Sequence, residues 1–374
     1  MHEFNYNSYA QEVIFGSGSL RRLSEWVDRA GVHKMMLCAN PSMQVGGKIT
    51  LVENILEKRL AVVFDRVQPH VQDLQVDEIV AVAVAKDVDA FVALGGGSSV
   101  GIAKAASAAC SKKMSRDYPV IAIPTTYAGS EMTPVYGITR TQEDPPRKVT
   151  SNDPKAIPRL VIYDPNLTLD LPPAITASTG INALAHCIEA LYSIRKNPLS
   201  TAAATAGVKH IFNALLRCYT HPDDLNARSE MMLGSHLAGL SLASVTMGLH
   251  HGLCHVLGGT ANVPHGIANS ILLPHVIRFN ADVTAKQLLA VAAEMEIPIN
   301  GISPIIAIEA MVQKLFHFIG QMNLPQHLRD SGVGLRQSDL PLLAELAFQN
   351  QTVQHNPKPI TNVFQIAELL HDAW

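Results

Sequence analysis

Four apolar runs dominate the first third of the chain: KMMLCAN (34–40), AVVFDRV (61–67), DAFVALGGG (89–97) and PVIAIPTT (119–126). They show little apolar/polar alternation, so as strands they must be buried on both faces. A parallel sheet meets that requirement, because its crossover helices cover it on either side. The intervening stretches fit. KITLVENILEKRL (48–60), VDEIVAVAVAKDV (76–88) and SVGIAKAASAAC (99–110) have helical apolar spacing, and LRRLSEWVDRAG (20–31) has it before a Gly stop. EVIF (12–15) adds a short strand, and KVTSNDPKAIPRLVIYDP (148–165) is expected to supply a last strand pair. After about residue 167 strand signals nearly vanish and Ala/Leu-rich helical patterns run to the C-terminus. The spacing predicts an α/β domain with a Rossmann-like parallel sheet over 1–166, then an all-helical domain over 167–374. No repeat or low-complexity linker separates them, so a cleft at a shared interface is the expected ligand site.

Composition excludes several classes. A net charge of −3 leaves no electrostatic footprint for nucleic acid. No apolar run is long enough to span a bilayer, and the polar start MHEFNYNSYAQEV shows no signal peptide. The five cysteines are odd in number, widely spaced and without CxxC, which reads as reduced thiols in a cytoplasmic protein.

The loop LGGGSSVGIAKA (94–105) follows a strand and opens a helix. Gly95, Gly96 and Gly97 let backbone N–H groups approach an anion, Ser98 adds a hydroxyl, and the helix N-terminus adds its dipole. That suits a pyrophosphate; the same glycines also suit a tight turn. Thr125 and Thr126, at another strand's carboxyl end, are placed to reach a nucleotide or to cap. Asn40 ends a third strand. It can hydrogen-bond a ribose, or serve as a turn residue before Pro41; being neutral, it repels a 2′-phosphate less than Asp would.

Residues 247–269, MGLHHGLCHVLGGTANVPHGIAN, hold His250, His251, His255 and His265. His251 and His255 are one helical turn apart, and His265 returns after Gly258, Gly259 and Pro264. In TASTGINALAHCIEALYS (176–193), with Ser178 or Thr179 as N-cap, Asn182 and His186 repeat that spacing. A lone His in such a helix reads as core; two spaced pairs plus His265 make a convergent cluster. HxxxH at 251–255 lacks a zincin's internal Glu. Lys148, flanked by Arg140 and Arg147, lies in a solvent-like run, where a surface lysine is the simpler reading.

The late GGGS loop, the PTT strand end, DPNLTLDLPP (164–173), the helix at 180–189 and HxxxHxLG…PHG resemble, in order and spacing, the iron-containing (group III) alcohol dehydrogenase superfamily. That resemblance implies a dehydroquinate synthase-like architecture, with an α/β dinucleotide-binding half and a helical half. YAGSEMTP (127–134), the doubled histidine with Cys254, and NPKPIT (356–361) are most similar to the maleylacetate reductase branch. In metal-dependent members Asp stands at the position of Asn182, completing a ligand set with His186, His251 and His265, while His255 lies nearer the nicotinamide. Three imidazoles and an amide carry no negative charge to offset a dication, so no metal is expected. Gly252 and Gly266 depart from the branch, which usually has Lys and Ala there.

The resemblance implies hydride transfer from NADH, with NADPH also accepted, to the conjugated double bond of a small dicarboxylate, maleylacetate, giving 3-oxoadipate. The residues implied for catalysis are Lys148, Asn182, His186, His250, His251, His255 and His265. Those implied for the cofactor are Asn40, Gly95, Gly96, Gly97, Ser98, Thr125, Thr126 and Lys148. A metal-dependent alcohol or aldehyde dehydrogenase is the alternative. A homodimer is implied.

Overall fold

The computed structural model describes residues 3–143 and 146–374. They form two compact units. One comprises Ser8–Leu171 with Asp223–Met232; the other comprises Pro172–Pro222 and Leu233–Trp374 with the N-terminal residues to Asn7.

In the first unit, β1 (Glu12–Phe15), α1 (Leu23–Ala30), β2 (Met35–Ala39), α2 (Ser42–Val45), α3 (Lys48–Leu56), β3 (Leu60–Phe64), α4 (Asp73–Ala85), β4 (Ala90–Gly95), α5 (Gly97–Met114) and β5 (Val120–Pro124) alternate as the apolar runs require. After them come β6 (Val135–Arg140), β7 (Arg147–Asn152) and β8 (Leu160–Tyr163). Six strands form one parallel sheet in the order β1-β8-β5-β4-β2-β3. Every residue of β2, β4, β5 and β8 is buried. Met35, Leu37, Val92, Leu94, Ile121, Ile123 and Ile162 pack with Trp26, Val27 and Ile49 from the helices. The chain runs outward from β2 to β3 and returns to β4 on the other side of β2. That reversal leaves a crevice at the carboxyl ends of β2 and β4, where such sheets bind ligands.

The expected strand pair at 148–165 divides instead. LVIY (160–163) is wholly apolar and enters the sheet between β1 and β5, whereas the more polar β7 pairs antiparallel with β6, a strand absent from the sequence reading. The 3₁₀ turn at Pro154–Ala156, capped by the Asp153 side chain, separates the two.

The second unit is built from α6 (Pro173–Tyr192), α7 (Pro198–Thr220), α8 (Leu225–Ala243, whose residues to Met232 belong to the first unit), α9 (Leu249–Ala261), α10 (His265–Glu294), α11 (Pro304–Gln321), α12 (Leu340–Phe348) and α13 (Val363–Asp372). No strand follows β8 among the described residues. The parallel sheet followed by helices is the architecture read from the sequence. No helix among these residues is long and apolar enough to cross a membrane.

Two local expectations change. Helix α6 starts not at Ser178 or Thr179 but at Pro173, whose fixed φ suits a first helical residue; both hydroxyls bond back to the Ile175 carbonyl. Helix α9 runs through Gly258 and Gly259 and stops only at Asn262, in left-handed geometry with φ 54°.

Candidate active site

Three neighbouring strand ends build a cradle in the α/β unit. Asn40 follows β2, Gly95 closes β4, and Thr125 and Thr126 follow β5. Gly95 has φ 137°, and a Cβ there would lie 2.6 Å from Ser99 Oγ and 3.1 Å from Asn40 Oδ1; one on Gly96 would lie 2.9 Å from Thr126 Oγ1. Glycine is therefore required where a ligand's backbone approach is closest. Asn40 Oδ1, Ser99 Oγ and Thr126 Oγ1 are buried without a hydrogen-bond partner among the described residues. Helix α5 opens here with Gly96 as N-cap, no side-chain cap and no acid in its first turn. Open helix amides ringed by unsatisfied hydroxyl and amide oxygens fit a pyrophosphate and its sugars.

The threonines have different parts. Thr126 faces Gly96, while Thr125 is buried with its hydroxyl 3.6 Å from the Met43 sulfur. Ser98 is half-buried in the first turn of α5. Ser99, which the sequence reading passed over, meets the loop; the Ser-Ser doublet was the available signal. Lys148 sits on β7 opposite Thr139, its stem across Gly137. Burial and, after it, the Lys148 charge hold His70 below the usual histidine range. Arg140 and Arg147 are backbone register partners in the same ribbon.

The histidines converge within the helical unit. On α6, Asn182 and His186 are buried on one face. From α9 come His250, His251 and His255; His265 is the first residue of α10 rather than a loop residue. His186 and His251 stack at 4.4 Å between ring centroids. His251 lies 6.4 Å from His255 and 6.0 Å from His265, and His255 stacks on His265 at 5.9 Å. His255 and His265 are half-buried; His250 and His251 are buried. His250 is engaged at both nitrogens, Nδ1 at 3.3 Å from His251 Nδ1 and Nε2 at 3.2 Å from the Asn269 carbonyl.

One further residue of this cluster carries no signal in the histidine pattern. Glu189, one turn after His186 on α6, is 1% exposed. It accepts the backbone N–H groups of Gly248, His250 and His251 and contacts His251 Nδ1. Its signal was the spacing His186-x-x-Glu189 in an otherwise apolar helix. Burial raises its carboxyl pKa, against the pull of His250 and the amides. Burial, then the neighbouring imidazoles, push His186 well below the usual range and His250 down to about 4. Neutral imidazoles offer lone pairs.

Gly252 and Gly266 do not border a vacant space. A Cβ on Gly252 would overlap Val353, and one on Gly266 would lie 2.8 Å from Ser178 Cβ, so both mark close helix approaches.

Residues 10–165 match the family model described as iron-containing alcohol dehydrogenase, and 176–374 match the C-terminal model of the Fe-containing alcohol dehydrogenase family. The maleylacetate reductase of Burkholderia cepacia is 35% identical over 360 residues, 96% of this chain and 95% of that protein. Among solved structures, the maleylacetate reductase from Agrobacterium tumefaciens has a TM-score of 0.85 at 33% identity, covering 100% of this chain and 99% of that one. A 1,3-propanediol oxidoreductase has a TM-score of 0.90 at 28% identity, covering both chains fully.

These findings correct the expectation of a metal-free site. The matching family is described as iron-containing, and Glu189, His250 and His251 bring ligand atoms within 4.8 Å of one another, a group able to hold a metal ion. Glu189 puts a buried carboxylate against the same imidazoles, and His186 Nδ1 is buried without a hydrogen-bond partner among the described residues. The residues fit a bound cation.

Proposed function

The chain belongs to the iron-containing alcohol dehydrogenase family, and on that premise we propose that it is an NAD(P)H-dependent reductase of maleylacetate. The likeness to maleylacetate reductases along the whole chain carries this reading, since it spans both the cradle and the histidine cluster. We assign the α/β half, 1–166, to the cofactor and the helical half, 167–374, to the reacting substrate.

The cradle binds the dinucleotide. Amides of the Gly95–Ser98 turn take the pyrophosphate, with Ser99 and Thr126 adding hydroxyls and Asn40 an amide toward a ribose. Hydride leaves the reduced nicotinamide for the alkene carbon β to the substrate's ketone. The double bond becomes an enolate, whose charge rests on the ketone oxygen. A proton added to the α carbon completes 3-oxoadipate.

Proton return falls to half-buried His255, which can exchange protons with solvent; imidazole has the matching range. Lys148 and Arg140 supply cations for the dicarboxylate. Asn182 shapes the pocket, and His250, engaged at both nitrogens, holds its neighbours in place. His186, His251 and His265 would hold a metal, with Glu189 supplying the negative charge; bound there, it would offer Lewis-acid polarisation of a carbonyl oxygen. The reading places the enzyme in the cytoplasm as a homodimer.

The test is oxidation of NADH and NADPH by the purified, metal-analysed protein with maleylacetate against a panel of short aldehydes. Rapid turnover of maleylacetate, with 3-oxoadipate formed in equal amount, is expected. Turnover of the aldehydes alone would reject the reading.

A further inference from the structure

We propose that Glu189 is a positioning residue that fixes the tautomer of His251, so that His251 presents a bare Nε2, and that Glu189 is not itself a metal ligand. The Glu189 carboxylate offers four acceptor sites. Glu189 Oε1 accepts from Gly248 N at 2.9 Å and His250 N at 3.2 Å. Oε2 accepts from His251 N at 3.3 Å and contacts His251 Nδ1. Four donors occupy four sites. Three of them are amides at the start of α9, whose dipole favours an anion at that end. That placement offsets the cost of burying a carboxylate, and it leaves no lone pair directed elsewhere.

The same contacts dictate where the His251 proton sits. A carboxylate is acceptor-only, so the imidazole nitrogen against it carries the hydrogen. Nδ1 is then N–H and Nε2 bears the lone pair. Ligating histidines are held by carboxylates in this manner, which sets the ring orientation and raises its basicity. Helix α6 thus contributes twice, with His186 to the cluster and, one turn later, Glu189 to the ring stacked on it. This inference rests on the location of the site proposed above but not on its substrate.

Glu189→Gln isolates the effect. Its amide NH₂ must replace one carboxylate oxygen. On the Oε1 side it would face two backbone N–H groups, neither of which can become an acceptor. On the Oε2 side it loses one backbone N–H, that of His251, and faces His251 Nδ1, the only one of the four donors that can switch. The variant is therefore expected to invert the tautomer, moving the His251 proton to Nε2.

The experiment is ¹⁵N NMR of histidine-labelled protein at neutral pH, with the His251 signals assigned by their loss in His251→Gln. Titrations with Zn²⁺ alone and with Fe²⁺ alone accompany it. The native protein should show the Nδ1–H tautomer, and Glu189→Gln the Nε2–H tautomer, with metal affinity about 10–100-fold weaker. An Nε2–H tautomer in the native protein overturns the proposal without any variant. So does a Gln variant that keeps Nδ1–H. Neither readout involves maleylacetate, so loss of the substrate assignment would leave this result intact.

Discussion

Gly252 lies directly against Val353: a methyl group built on Gly252 would overlap the valine side chain and stand 3.0 Å from its backbone nitrogen. The turn Val353–His355 is thereby seated on α9 beside the histidines. The resemblance to maleylacetate reductases implies Lys at this position, where the chain has Gly252. In this chain a side chain at 252 would point into the Val353 segment, so its absence is a packing adaptation. Gly252→Lys is expected to destabilise the protein by about 1–3 kcal/mol through overpacking and not to improve maleylacetate turnover. Thermal unfolding beside steady-state kinetics checks both, and a stable, faster variant would contradict the packing account.

The cradle oxygen Asn40 Oδ1 is buried near the Gly95 turn without a hydrogen-bond partner among the described residues, and Asn40 is uncharged. A carboxylate at that place would repel a 2′-phosphate while still accepting from ribose hydroxyls. Asn40→Asp should therefore shift the NADH/NADPH ratio of kcat/KM toward NADH by about tenfold or more, since like-charge contacts cost several kcal/mol and about 1.4 kcal/mol is tenfold. An unchanged ratio would show that residue 40 does not face the adenosine ribose.

Much of this arrangement was legible because local chemistry decided it. The buried strands had no alternative to a covered parallel sheet, and LGGGSS could only be a glycine turn opening a helix. The spacing of His251 and His255 placed them on one face before any coordinates. Tertiary contacts decided the rest. Thr125 and Thr126 look equivalent in sequence, yet strand pleat turns one toward Met43 and the other toward Gly96. Ser99 was hidden behind Ser98, since which of two adjacent residues turns inward depends on where α5 begins. Glu189 was hidden because a charged residue in an apolar helix reads as solvent-facing until the start of α9 is brought against it. The metal-free expectation rested on Asn182, and the Glu189 carboxylate supplies the negative charge that Asn182 lacks.

Proton return by His255 has a direct test. His255→Ala is expected to lower maleylacetate turnover by roughly 10²-fold or more, as for a general acid. In His255→Ala, NADH binding measured by fluorescence titration should persist. Near-native turnover would exclude His255 as the proton source.

Acid should weaken the fold earlier than carboxylate titration alone would. Burial holds His250 and His275 down to about 4, while their unfolded values lie near 6.5. Between those values the unfolded chain binds more protons than the native one, so stability rises with pH. Full stability is present above the unfolded value and is lost as pH falls from about 6.5 toward about 4, by roughly 1.4 kcal/mol per pH unit for each histidine. Urea unfolding without added metal, from neutral pH downward, should show midpoints falling across that window. A flat profile there would mean that these imidazoles are solvated in the native state.

Asn182 lies one turn before His186 on the same face of α6, so a carboxylate there would join the imidazoles as a second negative group beside Glu189. An amide oxygen is the weaker donor to a dication, and the substitution changes charge with almost no change in shape. Asn182→Asp should therefore tighten Zn²⁺ or Fe²⁺ binding, by about tenfold for each 1.4 kcal/mol gained. Calorimetric titration of the stripped protein reads the affinity directly. The same variant should lose stability when metal is absent, because the added carboxylate is buried without a compensating cation. Stability and affinity should thus move in opposite directions, and the stability loss should be recovered on adding metal. A variant whose unfolding and metal affinity both match the native protein would show that residue 182 does not face the cation.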